Sequence, residues 1–412
     1  MKLTLTIIVI ATVIVIPLHS QTILRPSPPG TNKHLTNAEM VKEIETFVDK
    51  LAAEDKFSGV VIVAKDGLPI FKKAWGLANV ASKVPNNVNT KFNLGSMNKM
   101  FTAVAVAQLM ERGKLSFDDT VGKHLPDYPN KAVADGVTIH HLLTHTSGTG
   151  SYWNEKFFKQ RATLRTVTDH LPLFADEPLA FKPGEKFRYS NAGFTLLGAI
   201  IERVSGQSYY DYVKENIYKP AGMTDTGFYE PDSTTPNLAT GYTNASPDGQ
   251  REPGPRLMTR PPAPPVGDMS PKGQREPGPR REYVPGPRRE NTDLREIKGG
   301  PAGGGYSTVE DLLKFHLALR SHKLLNRKYT DIVTTGKVET GMPMRKYAYG
   351  FGDEIFGGKH IVGHNGGAPG IAANFEMYPE LGYTAIILSN YDPPAMMPVV
   401  MKIREAIPSA AS

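Results

Sequence analysis

Phe92-Asn93-Leu94-Gly95-Ser96-Met97-Asn98-Lys99 is the stretch that decides how this chain is read. A strand-like approach ends at Gly95. A long apolar run then begins at about Ser96 and continues through Met100, Phe101, Ala103 to Ala107, Leu109 and Met110. Apolar residues at nearly every position, rather than along one stripe, predict a helix buried on all sides. A hydroxyl on the first turn of such a helix lies beside backbone N–H groups without partners, at the positive end of the helix dipole. Lys99 follows at i+3 and shares that face. Apolar surroundings disfavour the charged form of a lysine, so it can take a proton from the hydroxyl. Ser-x-x-Lys occurs once in the chain. Taken alone, Ser96 is better read as an ordinary helix cap, the commoner role of serine at a helix start.

Outward from this stretch the pattern is mixed. Asn37 to Ala53 has helical spacing (Met40, Val41, Ile44, Phe47, Val48, Leu51), with Asn37 as the expected N-cap. Val60–Ala64 and Ile70–Trp75 are strand-like and flank Lys65-Asp66-Gly67, a hairpin signal. The chain from Ser96 to about Met223 is mostly helical. Later, Ser307-Thr-Val-Glu310 reads as a capping box before a helix over Asp311–Leu319. Strands are expected at 347–352, 359–363, 371–378 and 383–389, and a last helix from about Met397 to Ala406. The fold class that follows is α/β (α+β): an antiparallel sheet built by both ends of the chain, flanked by helices, with a mostly helical half. The expected segments are 37–95 with 299–406 for the α/β half and 96–230 for the helical half.

Residues 231–298 differ in kind. They hold fourteen prolines, and Gly249-Gln-Arg-Glu-Pro-Gly-Pro-Arg256 repeats letter for letter at 273–280, with a third partial copy at Val284–Arg289. Proline removes backbone donors and glycine costs entropy, so an exposed insertion is expected here. Its charge accounts for most of the chain's net +7, because Arg251–Arg289 holds nine basic and four acidic residues. With the excess this local, no broad basic face is implied and nucleic acid is not expected as a partner. Weak contact of the insertion with acidic envelope polymers is the alternative role for it.

At 412 residues and 40% hydrophobic content, the chain can build a substantial core. Met1-Lys2, the apolar run Leu3–Leu18 and the small Ser20 before Gln21 fit an export signal over residues 1–20, followed by a linker over 21–36. An uncleaved membrane anchor is the alternative. The absence of cysteine excludes disulfides, thiolate metal sites and lipid attachment at a cysteine. An exported, periplasmic or extracellular protein is the expectation.

A serine nucleophile with a lysine base needs a second proton handler, an oxyanion hole and groups that orient the substrate. Tyr189-Ser190-Asn191 supplies the first candidate: it follows the turn Lys182–Arg188 and precedes the apolar helix Ala192–Val204. The competing view is a tyrosine that merely packs its ring and bonds a carbonyl. Gly363-His364-Asn365-Gly366-Gly367-Ala368-Pro369-Gly370, between two strand-like segments, can let a substrate lie against an edge strand and aim a backbone N–H at it. It also fits an ordinary glycine-rich hairpin. His140, His141 and His145 form the one cluster with metal-like spacing, but no glutamate follows His141 as zinc peptidases require. No metal is expected.

Phe92-x-x-Gly95-Ser96-x-x-Lys99, Leu142-Leu-Thr-His-Thr-Ser-Gly148, Tyr189-Ser-Asn191, Pro301-Ala-Gly-Gly-Gly-Tyr-Ser307 and His364-Asn-Gly366 occur in this order. Together they resemble the serine β-lactamase-related family, which includes class C β-lactamases, D-peptidases and lactamase-like esterases. The likeness spans about residues 37–230 and 299–406. It implies Ser96 as nucleophile, Lys99 as its proton acceptor and Tyr189 as proton carrier to the leaving group. It implies Asn191 as the group that orients the substrate, and an oxyanion hole from the N–H groups of Ser96 and Gly367. No cofactor is implied. One departure stands out: the β-lactamases of the family usually carry Lys-Thr-Gly where this chain has His364-Asn365-Gly366. A histidine is mostly neutral at pH 7 and holds a β-lactam carboxylate less well. The resemblance with this departure favours an exported serine hydrolase of esters, amides or D-residue peptides. A β-lactamase or penicillin-binding D-alanyl carboxypeptidase is the enzymatic alternative, and an envelope-binding protein that kept the fold is the non-enzymatic one.

Overall fold

The computed structural model describes residues 35–230, 234–245 and 287–411. The first helix, α1 (Asn37–Ala53), buries Met40, Ile44 and Val48. Thr36, not Asn37, caps it. Thr36 Oγ1 accepts from Glu39 N–H at 3.2 Å while Glu39 Oε2 accepts from Thr36 N–H at 2.9 Å, the reciprocal box that satisfies two helix-end donors. Asn37 is freed from capping and accepts from the Tyr383 hydroxyl at 2.5 Å.

Next come β1 (Gly59–Lys65) and β2 (Leu68–Trp75). Asp66 and Gly67, at φ 51° and 87°, form the two-residue turn whose twist matches the strands it joins. A 3-10 turn over Gly95–Asn98 leads into α2 (Lys99–Glu111), which is buried from Lys99 to Met110 as its all-round apolar surface requires. The helical half continues through α3 (Asn191–Ser205), and α4 (Val309–Arg320) returns the chain to the sheet. Thr308 rather than Ser307 caps α4, accepting from Asp311 N–H at 3.1 Å.

The remaining strands of the main sheet are β3 (Val338–Glu339), β4 (Arg345–Tyr347), β5 (Gly352–Phe356), β6 (Lys359–Ala368), β7 (Ile371–Tyr378) and β8 (Tyr383–Ser389). The strand expected over 347–352 is therefore two strands with a turn between them. The expected 359–363 strand runs five residues further. The chain ends in α5 (Pro393–Ala411), longer at both ends than the pattern predicts.

One eight-stranded antiparallel sheet holds all of these strands in the order β2-β1-β8-β7-β6-β5-β4-β3. β1 pairs with β8, Val60 opposite Leu388 and Val63 opposite Ala385, so both ends of the chain complete it. Side chains alternate between its faces. Val60, Ile62 and Leu388 join the core shared with α2, α3 and α4, whereas Val61, Val63 and Ile387 join the core under α1 and α5. β5 leaves β6 opposite Gly363. From His364 to Ala368, β6 pairs only with β7 and presents its other edge to the helical half. That edge positions the site.

The flanks of the proline-rich segment belong to the folded body. Tyr242–Thr243 pair with Arg289–Glu290, Leu294 and Glu296 are buried, and Arg288 lies 3.8 Å from the Tyr391 ring centroid. Of the segment expected as an insertion over 231–298, the last residues therefore pack on the body, through basic, apolar and acidic side chains after Pro287. Residues 231–233 and 246–286, with both full copies of the repeat, lie outside the described residues, as does the segment 1–34. Among the described residues no helix is long and apolar enough to cross a membrane.

Candidate active site

Lys99 is the first α-helical residue of α2, fully buried, with Ser96 one turn earlier on the 3-10 entrance. Lys99 Nζ lies 3.2 Å from Ser96 Oγ, 2.8 Å from Asn191 Oδ1 and 2.5 Å from the Ala302 carbonyl oxygen. Burial holds its pKa well below the usual lysine value, and the charge of Glu296 only partly opposes this. The glycine-rich loop that carries Ala302 is fastened along the same helix face. Thr102 Oγ1 donates to the Pro301 carbonyl at 2.8 Å, and Gly305 N–H donates to Asn98 Oδ1 at 3.1 Å.

Tyr189 stands directly before α3. Ser190 caps that helix by accepting from Gly193 N–H at 2.9 Å, and Asn191 opens it. The Tyr189 ring centroid is 4.8 Å from Lys99 Nζ. Although the residue is 39% exposed overall, its hydroxyl end is turned inward. Burial pushes the phenol well above its ordinary pKa, and a hydrogen bond with Ser96 offsets part of the shift. Ser96, Lys99, Tyr189 and Asn191 are thereby brought together.

The β6 edge closes the other side. A β-carbon on Gly366 would stand 1.9 Å from the Leu94 carbonyl oxygen and 3.0 Å from Ser96 N; one on Gly95, at φ 50°, would stand 2.9 Å from Gly367 N. Only glycine permits this approach, which sets the backbone of Gly366 and Gly367 against Gly95 and Ser96. Asn365 is exposed on that edge. His364 is turned away from it: Nδ1 donates to the Asn365 carbonyl at 2.6 Å, and Nε2 lies 2.9 Å from the Tyr347 hydroxyl. Burial first, then the charge of Lys99, holds its pKa down at about 3. The ring is neutral, and neither nitrogen is free for a ligand.

His145 is a site residue that sequence reasoning passed over except as part of a metal-like cluster. It holds Tyr189 from both sides: its carbonyl accepts from Arg188 N–H at 2.8 Å and its Nδ1 from Ser190 N–H at 3.0 Å. Its ring lies 4.2 Å from the Tyr189 ring. Its position within Leu142–Gly148 was the available signal. His140 instead meets the Tyr349 hydroxyl at 2.8 Å, and His141 Nδ1 accepts from Thr138 N–H at 3.2 Å. Ala302 lies in the quoted block Pro301–Ser307, although nothing there singles out its carbonyl, and Tyr347 gave no signal at all.

A chamber of about 350 Å³ opens beside Ser96. Its lining includes Ser96, Asn191 and Gly367, the aromatic residues Tyr152, Trp153 and Phe158, and the charged residues Arg295 and Glu296. Chemically, this is a half-buried hydroxyl with a low-pKa amine at hydrogen-bond distance, a neutral phenol and two close backbone strands, next to a hollow of substrate size.

The beta-lactamase family profile matches residues 44–407. A penicillin-binding protein of Bacillus subtilis is 30% identical over 362 residues, which cover 85% of this chain and 71% of that one. Esterase EstB of Burkholderia gladioli is 35% identical over 209 residues, 47% of this chain and 53% of its own. The crystal structure of a penicillin binding protein from Bacillus halodurans superposes with a TM-score of 0.71 at 32% identity, covering 89% of this chain and 98% of that chain. The chain belongs to the beta-lactamase family and is a serine hydrolase on the β-lactamase/transpeptidase fold.

Proposed function

We propose that this protein is an exported hydrolase that works through an acyl-enzyme on Ser96 and acts on esters, amides or D-residue peptides. The observation that carries the reading is the set of three contacts around Lys99 Nζ. A neutral amine has two N–H bonds and one lone pair. The Asn191 and Ala302 oxygens can only accept, so they take the two N–H bonds. The lone pair is left facing the Ser96 hydroxyl at 3.2 Å. Burial of Lys99 lowers its pKa and so favours that neutral form.

Ser96 Oγ then attacks the substrate carbonyl while its proton passes to Lys99 Nζ. The oxyanion is received by the N–H groups of Ser96 and Gly367, each worth ~3 kcal/mol of transition-state stabilisation. Tyr189, kept as a neutral phenol, donates to the leaving group as the carbonyl carbon–heteroatom bond breaks and is reprotonated from Lys99. With its Oδ1 on Lys99, Asn191 has its amide N–H₂ left to orient the substrate at a point away from the reacting carbonyl. Water, activated by the same groups, releases the acyl product.

Penicillin-recognising activity is the second reading, favoured by the similarity to penicillin-binding proteins. The neutral, fully engaged His364 argues against efficient β-lactam turnover. The test is a fluorophosphonate probe, with nitrocefin and simple 4-nitrophenyl esters as substrates. Wild type should label and Ser96→Ala should not, and ester turnover should exceed nitrocefin turnover. Absence of wild-type labelling would leave only a binding role. Fast nitrocefin hydrolysis would move the assignment to a β-lactamase.

A further inference from the structure

Beside Arg295, which also lines the chamber, Glu296 is the carboxyl group there that this mechanism does not use. It is 8% exposed and lines the hollow beside Tyr152, Trp153 and Phe158. Among the described residues no base meets it at ion-pair distance. Arg295 is engaged with the Tyr306 hydroxyl, Lys99 donates to Asn191 and Ala302, and Lys298 Nζ sits 4.2 Å from the Tyr210 ring centroid. A carboxylate this deep without a contact cation is unfavourable, and a cation delivered by a ligand would relieve it. Aromatic faces around it add attraction for the same kind of ligand.

We propose that Glu296 receives an ammonium group on the acyl portion of the substrate, so that the chamber selects amine-bearing acyl groups over neutral ones of the same shape. This rests on the acyl-enzyme reading above. The acyl side follows from geometry: Ser96, Asn191 and Gly367 border the chamber, whereas Tyr189, the donor to the leaving group, does not. The leaving group therefore departs on the Tyr189 side and the acyl chain enters the hollow. Burial raises the Glu296 carboxyl to about 7, against the opposing pull of its own backbone N–H and then of Arg295 and Lys99. It is ionised in mildly alkaline solution, where an alkyl ammonium keeps its proton. No bond is made or broken at Glu296; it is a specificity residue.

The test compares 4-nitrophenyl 6-aminohexanoate with 4-nitrophenyl heptanoate, in which a methyl replaces the ammonium, at about pH 8.5. Wild type should favour the amine by at least ~10-fold in kcat/KM, and Glu296→Gln should bring that ratio close to one. A wild-type ratio near one, or a ratio untouched by Glu296→Gln, overturns the proposal. A second measurement needs no catalysis. In Ser96→Ala, hexylamine should bind at least ~10-fold more tightly than 1-hexanol, read by Trp153 fluorescence. The chain's other tryptophan, Trp75, is hydrogen-bonded to Asp49 outside the chamber. Equal binding of the two overturns the proposal. Amine-selective binding in an enzyme that cleaves neither ester would uphold the Glu296 site and reject the acyl-enzyme reading instead.

Discussion

In the proposed mechanism Lys99 is the residue on which reactivity turns, because its environment rather than its identity would make it a base. With its pKa held well below the usual range by burial, the reactive neutral form should dominate from mildly alkaline pH upward. The rate of fluorophosphonate labelling should rise with pH through one ionisation and level off well short of the ordinary lysine value of ~10.4. A rate still climbing at about pH 10 would show that Lys99 is an ordinary charged lysine. Lys99→Met should slow labelling by ~10³-fold while circular dichroism stays native, as expected for loss of a positioned proton acceptor. His145 acts through another group. His145→Ala removes a fully buried ring and the Nδ1 acceptor for Ser190 N–H, and should lower stability by about 3 kcal/mol. Because that ring also fixes Tyr189, kcat should fall more than KM rises; a pure stability loss with unchanged kcat would refute the positioning role. The proximity of Ser96 and Lys99 was legible because i+3 spacing on a helix is local geometry. His145 and the Ala302 carbonyl were not, since their contacts with Tyr189 and Lys99 exist only after distant segments pack.

At the scale of elements, the site is made where the turn before α2 touches the unpaired edge of β6. Gly366 tests that contact. Alanine there would put a methyl 1.9 Å from the Leu94 carbonyl oxygen, forcing edge and turn apart and pulling the Gly367 and Ser96 N–H groups out of register. Gly366→Ala should reduce kcat/KM by at least ~10²-fold, the scale of a lost oxyanion donor. Gly136→Ala is the matched control: its β-carbon would meet only Pro183 at 4.0 Å, on a helical backbone. It should keep full activity and gain up to ~1 kcal/mol of stability. Equal activity in the two variants would mean that the close approach is packing alone. The glycines of 363–370 were visible in the sequence, but an ordinary hairpin needs glycines too. What separates the two roles is the neighbour across the edge, and no local pattern contains it. Strands at 371–378 and 383–389 were legible to the residue because they are largely apolar runs bounded by turn residues, and both are buried on both faces. The short β3 and β4 have mixed burial and carry no such signal.

The whole molecule closes on itself through the β1–β8 pairing, and the titratable groups that folding buries fix how stability depends on pH. Two terminal strand groups and an ordered set of motifs made this architecture readable from the chain. The position of Glu296 was hidden because composition marked 231–298 as one block, while its last residues fold back onto the chamber. Folding buries titratable groups of both kinds around the cleft. His364, with a folded pKa of about 3 against ~6.5 unfolded, binds fewer protons in the folded state between those values. Its contribution to stability is therefore full above ~6.5 and is lost as pH falls toward 3. His145 is shifted in the same direction, again by burial. Glu296 works oppositely: its folded pKa of about 7 lies above the ~4.3 of an unfolded glutamate, so it favours the folded state toward low pH across that window. A single substitution isolates one group. Replacing His364 by glutamine leaves an amide oxygen able to accept from the Tyr347 hydroxyl but removes the titration. Between pH ~6 and ~4, urea unfolding should show the wild type losing stability relative to His364→Gln by about 1.4 kcal/mol per pH unit, one proton's worth. Parallel curves for the two proteins would mean that His364 takes up its proton in the folded state as readily as in the unfolded chain, and the neutral, fully bonded ring beside Tyr347 would have to be given up.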